Sequence, residues 1–187
     1  DPKRLDALVS RGSVSMQEGR WKEARADLDR VIEIDPDHVI AYRNRGDLRQ
    51  RTGDLSGAVS DFTESIRIEP SNPEGYVSRG LLLSRTGKPQ ASIADFDRAL
   101  SLDPRNQAAT KYRAMARMML KQYEGAMKDL IRALELDPED YESWGYYGWI
   151  LAQQGKRGQA LRALQRAAQF APPPFKARYQ KMIEQTR

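Results

Sequence analysis

Residues 39–72 read VIAYRNRGDLRQRTGDLSGAVSDFTESIRIEPSN, a stretch of 34 residues with Pro70 near its end. Another proline, Pro36, precedes the stretch, and the two prolines lie 34 residues apart. The same spacing runs along the chain at Pro2, Pro36, Pro70, Pro104, Pro138 and Pro172. Because proline cannot continue a helix and biases its predecessor away from helical angles, each of these residues marks a stop. The sequence therefore predicts an internal repeat with room for two helices in each copy.

Gly53 divides this stretch into two predicted helices, because glycine is a common residue at a helix C-terminus. Its equivalents in the other copies are Gly19, Gly87, Lys121 and Gly155. Small residues recur in the first helix at Gly12, Gly46, Gly80, Ala114 and Gly148. In the second helix of the quoted stretch, Ala58 is followed four residues later by Phe62. This spacing predicts one apolar stripe per helix and a close approach between the two helices.

The series Tyr42, Gly46, Ala58, Phe62 and Pro70 resembles the tetratricopeptide repeat family, whose unit is a 34-residue helix–turn–helix. The resemblance covers essentially the whole chain. It implies an all-α fold, an α-solenoid in which tandem helix–turn–helix units form a right-handed superhelix. It further implies a concave groove lined by the first helix of each copy of the repeat.

Five repeats and two short end segments account for the 187 residues. The segment 1–4 fits the end of a preceding repeat or an N-terminal cap, which predicts that the chain is a fragment of something longer. The repeats are expected at 5–38, 39–72, 73–106, 107–140 and 141–174. Apolar residues at i, i+4, i+7 and i+8 from Phe175 predict a C-terminal capping helix over 175–187.

In the first four copies an arginine of the first helix is followed, 16 residues later, by an aspartate of the second helix. The pairs are Arg11 with Asp27, Arg45 with Asp61, Arg79 with Asp95, and Arg113 with Asp129. In the fifth copy both are replaced, by Tyr147 and Ala163. Since a lone charge near a packed face is costly, joint presence and joint absence predict structural ion pairs between helices. The alternative is a row of arginines that grips the phosphates or carboxylates of a ligand.

The residue inventory excludes several kinds of chemistry. No cysteine is present, so disulfides, thiolate nucleophiles and cysteine-bound metals are ruled out. The single histidine, His38, follows a proline stop without companions for a metal site. No apolar run reaches the roughly 18 residues of a membrane span. The sequence thus predicts no enzyme activity, no cofactor, no metal and no membrane span, and it leaves the compartment open with the cytoplasm favoured.

At about 100° per residue, positions 2, 5, 6, 9, 12 and 13 of each first helix face the predicted groove. These positions become apolar and aromatic toward the C-terminal copies. The candidate ligand-binding residues are Arg43, Asn44, Leu81, Arg85, Lys111, Tyr112, Met115, Met119, Tyr146 and Trp149. Methionine and aromatic side chains adapt to apolar groups of a partner, and the cations suit its carboxylates. The alternative is that the methionines and Trp149 belong to internal packing.

The function predicted from these features is a non-catalytic protein–protein interaction scaffold that binds a partner peptide or protein segment in its groove. The last 47 residues hold eight basic and two acidic side chains, a net charge of +6 within a total of +5. This basic end raises the alternative of RNA or an acidic surface as the ligand, although its dispersed charges disfavour nucleic acid. A regulatory segment of a larger enzyme and a homo-oligomer are also left open.

Overall fold

The computed structural model describes residues 2–186, and within them the chain consists of α-helices and short turns, without strands. The helices are α1 (Pro2–Gln17), α2 (Trp21–Ile34), α3 (Val39–Thr52), α4 (Leu55–Ile68), α5 (Pro73–Arg85), α6 (Pro89–Leu102), α7 (Gln107–Met119), α8 (Tyr123–Leu136), α9 (Tyr141–Gln153), α10 (Arg157–Phe170) and α11 (Pro173–Thr186). The expected all-α fold of tandem helix–turn–helix units with a final helix is confirmed. Asp1 and Arg187, the outer residues of the predicted segments 1–4 and 175–187, lie outside the described residues.

The chain divides into two compact units, Asp1–Leu102 and Asp103–Arg187. In the first unit α1 packs on α2, α3 on α4, and α5 on α6. The pairs are joined in turn by contacts of α2 with α3 and of α4 with α5. In the second unit α7 packs on α8 and α9 on α10, α8 contacts α9, and α11 packs on α10. Each unit is therefore a stack of helix pairs, and the second is completed by α11.

The N-terminal segment differs in one respect from its prediction. The first helix already begins at Pro2, so residues 2–4 form its first turn. A proline is tolerated there because the first backbone N–H groups of a helix have no partner within the helix. The repeat boundaries themselves stay a prediction.

The turn inside each helix pair needs a residue with positive φ. Gly53 has φ of 90° at the end of α3, and its N–H donates to the carbonyls of Arg49 and Gln50. In the fourth copy Lys121 takes this role with φ of 59°, the one non-glycine residue of positive φ between residues 2 and 186. A side chain in the left-handed region costs about 1 kcal/mol, so the α7–α8 turn is strained.

The small residues of the first helices admit large side chains from the second helices. At Gly46 a Cβ atom would lie 2.6 Å from Cε1 of Phe62, which is buried. At Gly12 the nearest atom to such a Cβ would be Cγ of Leu28, at 3.4 Å. Glycine is thus required opposite Phe62, whereas Leu28 leaves room for a methyl group. The fourth copy has that arrangement, with Ala114 and Leu130 in one buried cluster. A leucine partner does not always leave this room, because a Cβ at Gly148 would lie 2.9 Å from Cγ of Leu164.

The four arginine–aspartate pairs are close in the structure. In each, the arginine Nε donates to aspartate Oδ2: the distances are 2.7 Å for Arg11–Asp27, 3.0 Å for Arg45–Asp61, 2.9 Å for Arg79–Asp95 and 3.0 Å for Arg113–Asp129. In each, Nη2 donates to the other carboxylate oxygen, so every pair is bidentate. The four aspartates are buried. Each pair joins the two helices of one copy.

Two of these arginines also donate hydrogen bonds to a residue of the preceding copy. Arg45 also donates from Nη1 to Oδ1 of Asp29 at 2.7 Å, which links α3 to α2. Burial by itself would lower the pKa of Arg45, but its hydrogen bonds and charge interactions with Asp61 and Asp29 outweigh burial and raise it. In the same way Arg79 donates to the hydroxyl of Thr63 on α4. Each guanidinium is bound by the buried aspartate of its own copy, which favours the structural reading of the row over the ligand-binding one.

Candidate functional site

A cavity of about 200 Å³ lies in the second unit between α7, α9 and α11. Its lining is mostly aromatic and methionine side chains, with one carboxylate and one guanidinium. The lining residues are Met118, Tyr141, Glu142, Gly145, Tyr146, Trp149, Phe175, Arg178, Tyr179 and Met182. Aromatic linings with a few convergent polar groups are common in binding sites, and this cavity is smaller than the roughly 300–1,000 Å³ of a drug-sized ligand pocket.

The start of α9 fixes the side chains that this helix gives to the cavity. Asp140 caps the helix, since its carboxylate accepts from the backbone N–H of Glu142 at 3.2 Å and from the hydroxyl of Ser143 at 2.7 Å. Glu142, Tyr146 and Trp149 follow at intervals of four and three residues. They therefore lie on one face of the helix, toward the cavity.

The final helix forms the opposite side of the cavity. α11 begins at Pro173, and its Tyr179 is buried with Leu164 and other residues of α10. Gly145 on α9 makes this approach achievable, because a Cβ there would clash with the ring of Tyr179. The helix predicted as a cap thus supplies part of the cavity lining.

Ring contacts hold the aromatic lining in place. Tyr141 stacks on Phe175 with ring centroids 5.8 Å apart, and it meets Tyr179 edge-on at 6.1 Å. Trp149 meets Tyr123 of α8 edge-on at 5.9 Å. Such contacts are worth about 1 kcal/mol each beyond the area they bury. The cavity is therefore preorganised, while Phe175 at its edge remains 46% exposed.

Two tyrosine hydroxyls at the cavity stay uncharged at neutral pH. Burial raises the pKa of Tyr179 to about 12, and burial followed by the charge of Glu142 raises the pKa of Tyr146. Both hydroxyls are therefore protonated and able to donate. Arg178 lies exposed at the edge, and its guanidinium makes no hydrogen bond or ion pair within residues 2–186. It is a cation available to a ligand.

Lys111 is held by carboxylates on the neighbouring helix. Its Nζ lies 2.8 Å from Oε2 of Glu142 and 3.3 Å from Oδ2 of Asp140, and only 12% of its side chain is exposed. Gln107 also donates to Asp140, at 2.8 Å. Burial tends to lower the pKa of Lys111, but the hydrogen bond to Glu142 and the two negative charges outweigh it and raise the pKa. Lys111 therefore ties α7 to α9 and neutralises the carboxylate at the cavity.

The ten candidate binding residues are divided by the structure. Tyr146 and Trp149 line the cavity. Four others, Arg43, Asn44, Leu81 and Arg85, belong to the first unit. Asn44 there donates to the hydroxyl of Ser13 at 3.1 Å, which links α3 to α1.

The remaining candidates are on α7. Tyr112 and Met115 are half-buried, and Met119 is 53% exposed. The ammonium of Lys111 lies 5.8 Å from the centroid of the Tyr112 ring. The methionine of α7 that lines the cavity is Met118, which occupies position 12 of its copy.

Sequence reasoning did not single out the contribution of α11. The apolar spacing from Phe175 predicts only a capping helix, yet Phe175, Tyr179 and Met182, together with Arg178, line the cavity. Two features of the sequence could have indicated that α11 packs against α9. They are the spacing of the aromatic residues in the final helix and the glycine at 145, a position where the other copies have larger side chains. Both patterns are visible in the sequence.

Residues 2–186 contain no group of three histidine, cysteine, aspartate or glutamate side chains close enough to hold a metal ion. Among the helices described, none has the length and apolar character needed to cross a bilayer. The ring of His38 accepts a hydrogen bond from the backbone N–H of Ala41 at 3.3 Å, so it caps α3.

Comparison with known protein families agrees with the helix–turn–helix architecture. Three models described as tetratricopeptide repeat match residues 12–77, 77–134 and 117–185. Together they cover nearly the whole chain, so the chain belongs to the tetratricopeptide repeat family. No curated protein matches its sequence.

Solved structures resemble the fold at low sequence identity. PilW, a type IV pilus biogenesis factor, is 19% identical with a TM-score of 0.86, over 97% of this chain and 85% of its own. PilF of Pseudomonas aeruginosa is 16% identical with a TM-score of 0.86, over 99% and 87%. YrrB, a tetratricopeptide protein with an unusual peptide-binding site, is 19% identical with a TM-score of 0.73, over 94% and 90%. These likenesses show the fold alone.

Proposed function

We propose that this chain is a non-catalytic protein-interaction module that binds a peptide segment of a partner protein in the cavity between α7, α9 and α11. The observation that carries the proposal is the aromatic and methionine lining beside an unpaired guanidinium, that of Arg178. The ligand we expect is a segment with a large apolar side chain next to a carboxylate.

The apolar half of this ligand follows from the size and lining of the cavity. About 200 Å³ is roughly the volume of one large residue. Trp149 and Tyr146 are rigid aromatic surfaces of the type that dominates binding energy at interfaces. Met118 and Met182 on the flanking helices are flexible and can adjust to the shape of an inserted side chain.

The polar half follows from the charges. Because Lys111 occupies the carboxylate of Glu142, the cation left without a partner at the cavity is Arg178. Arginine binds carboxylates through two parallel hydrogen bonds, which gives orientation as well as affinity. The protonated hydroxyl of Tyr146 adds a donor for a backbone carbonyl.

A role without catalysis is supported by the same groups. Burial raises the pKa of Tyr179 and Tyr146, which keeps both protonated, and Glu142 is held by Lys111. None of these side chains is therefore activated as a nucleophile or poised as a general base. The peptide-binding site of YrrB, a protein of similar fold, supports the class of ligand.

Selection from a phage-displayed library of random peptides tests this proposal. One selected peptide, labelled with fluorescein, is titrated against the wild-type chain and against Trp149→Ala and Arg178→Ala. We expect the selected peptides to share an apolar residue near an acidic one. Removal of a central aromatic anchor is expected to weaken binding by about tenfold or more.

The control is Trp21→Ala, which removes an exposed tryptophan of the first unit and should leave affinity unchanged. Circular dichroism of each variant verifies that the helices are retained. The proposal fails if no peptide is enriched on the wild-type chain, or if the selected peptides bind both cavity variants as tightly as the wild type.

A further inference from the structure

A second cleft lies on the other face of α9, where the fifth copy lacks the ion pair present in the other four. It measures about 600 Å³ and is open to solvent between α9 and α10. Its lining includes Trp144, Tyr147, Leu151, Ala163, Arg162 and Arg166. These side chains belong to helix faces that the cavity of the proposed function does not use.

The cleft coincides with the replaced charges. In the second copy Arg45 and Arg49 both bind the buried carboxylate of Asp61, at 2.7 Å and 3.0 Å. In the fourth copy Arg113 and Arg117 bind Asp129 in the same way. The equivalent residues of the fifth copy are Tyr147, Leu151 and Ala163. Three charged groups are thus exchanged for an aromatic ring and two aliphatic side chains, with alanine much smaller than the group it replaces.

The base of the cleft is apolar and ordered. Trp144 and Tyr147 meet edge-on with ring centroids 6.4 Å apart, and the indole N–H of Trp144 donates to the carbonyl of Pro138 at 2.9 Å. Leu151 and Ala163 belong to one buried cluster against which both rings pack. An aliphatic base beside edge-packed rings suits an apolar side chain better than the flat face of a nucleobase.

The margin of the cleft is cationic and rich in amides. Arg162 has no ion pair or hydrogen bond from its guanidinium within the described range 2–186, and Arg166 donates to the amide oxygen of Gln169 at 3.2 Å. Among the residues that the structure describes, no aspartate or glutamate lines the cleft. The amide side chains at the margin are those of Gln159, Gln165 and Gln169. They offer both donors and acceptors, which can pair with the backbone of an extended peptide. The cleft is therefore complementary to a negatively charged segment that carries an apolar residue.

The geometry points to a second docking site, in which this cleft binds an acidic peptide segment of a partner protein with an apolar side chain against Ala163. The probe is a ten-residue fluorescein-labelled peptide of glutamates around a central Phe-Leu pair. Two comparison peptides replace either every glutamate by lysine or the Phe-Leu pair by glycines. Fluorescence anisotropy is measured on the whole chain, and a labelled oligo-uridine serves as the nucleic-acid probe.

The site predicts binding of the acidic peptide, with affinity at least about tenfold lower for both comparison peptides and for Arg162→Glu/Arg166→Glu. These arginines are exposed, so this double variant should fold normally. A second double variant, Tyr147→Arg/Ala163→Asp, installs the ion pair of the other copies. It should fill the cleft and lower the affinity by a similar factor while the helical circular dichroism is retained.

The probe also carries the apolar and acidic groups that the cavity of the proposed function would bind, so the titrations are repeated in a Trp149→Ala background, which removes that site from the opposite face of α9. Binding to the cleft should remain in this background and should still be weakened by both double variants. The inference is overturned if both double variants bind the acidic peptide like the wild type, or if Trp149→Ala abolishes binding. It is also overturned if oligo-uridine binds and the acidic peptide does not. Gel filtration that shows a dimer broken by Arg162→Glu/Arg166→Glu would instead assign the cleft to a second copy of the chain.

Discussion

Exchange of Gly46 for alanine should destabilise the first unit, whereas the same exchange at Gly12 should stabilise it. The built Cβ at Gly46 lies 2.6 Å from Cε1 and 2.9 Å from Cδ1 of Phe62. Because the phenylalanine is only 1% exposed, its ring has no space into which it can move. Overpacking of this kind costs about 1–3 kcal/mol, against a gain in helix propensity of about 1 kcal/mol. Because two ring atoms would lie closer than 3.0 Å, the cost should fall in the upper half of that range, which leaves a net loss of about 1–2 kcal/mol in the free energy of unfolding.

At Gly12 the helix-propensity gain stands without the clash. The nearest atoms to the built Cβ are Cγ of Leu28 at 3.4 Å and the carbonyl oxygen of Ala24 at 3.6 Å, both ordinary contact distances. We expect Gly12→Ala to stabilise by up to about 1 kcal/mol. Both glycines belong to the same unit, so the two variants report on one set of packed helices.

Urea denaturation followed by circular dichroism at 222 nm measures both variants. Similar m-values would show that the midpoint shifts reflect stability rather than a change in the surface exposed on unfolding. If Gly46→Ala is as stable as the wild type, or if Gly12→Ala is the less stable of the two, the packing argument is refuted.

Three further perturbations test other features of the fold. Lys121→Gly relieves the positive φ of the α7–α8 turn and should raise the free energy of unfolding by about 1 kcal/mol, as measured by urea denaturation. Asp61→Ala removes the main partner of Arg45, whose side chain is only 15% exposed, and should lower the free energy of unfolding by about 3–5 kcal/mol. Asp27→Ala removes the partner of Arg11, whose side chain is 66% exposed, and should lower it clearly less in the same assay. Tyr179 ionises near pH 12 in the folded chain, so its stabilising contribution is complete below the ordinary tyrosine pKa of about 10 and is lost as the pH rises toward 12. Absorbance at 295 nm should show a late-titrating tyrosine that is missing from Tyr179→Phe, and its absence from the wild type would contradict the burial of the hydroxyl.

The fold could be predicted because its signals are local and repeated. Proline stops, turn glycines and the small residue opposite Phe62 or Leu28 each depend on the geometry of one helix pair. The fourth copy illustrates the limit of a motif, because Lys121 keeps the turn conformation without glycine and Ala114 fits beside Leu130. Which residue is tolerated at such a position depends on the backbone conformation and on the neighbouring side chain. A consensus motif records neither of these.

The site was only partly predictable, because helical periodicity gives the direction of a side chain but not the position of the next helix. Helical periodicity places position 5 toward the groove, yet Val9 and Val77 at this position are buried, and Gly145 lies against Tyr179 of α11. Lys111, at the same position, is taken up by carboxylates of the neighbouring copy. The contribution of α11 could not be predicted for the same reason. Its side chains line the cavity only because the helix packs beside α9 and α10, and helical periodicity does not give that position.

The most direct test of peptide binding in the cavity is an NMR spectrum of the chain labelled at its methionine methyl groups, recorded with and without the selected peptide. Met118 and Met182 line the cavity, while Met16 is buried in the first unit and serves as an internal reference. The proposed site predicts that the resonances of Met118 and Met182 shift to saturation while that of Met16 stays in place. Saturating peptide that leaves both cavity methionines unchanged would contradict it.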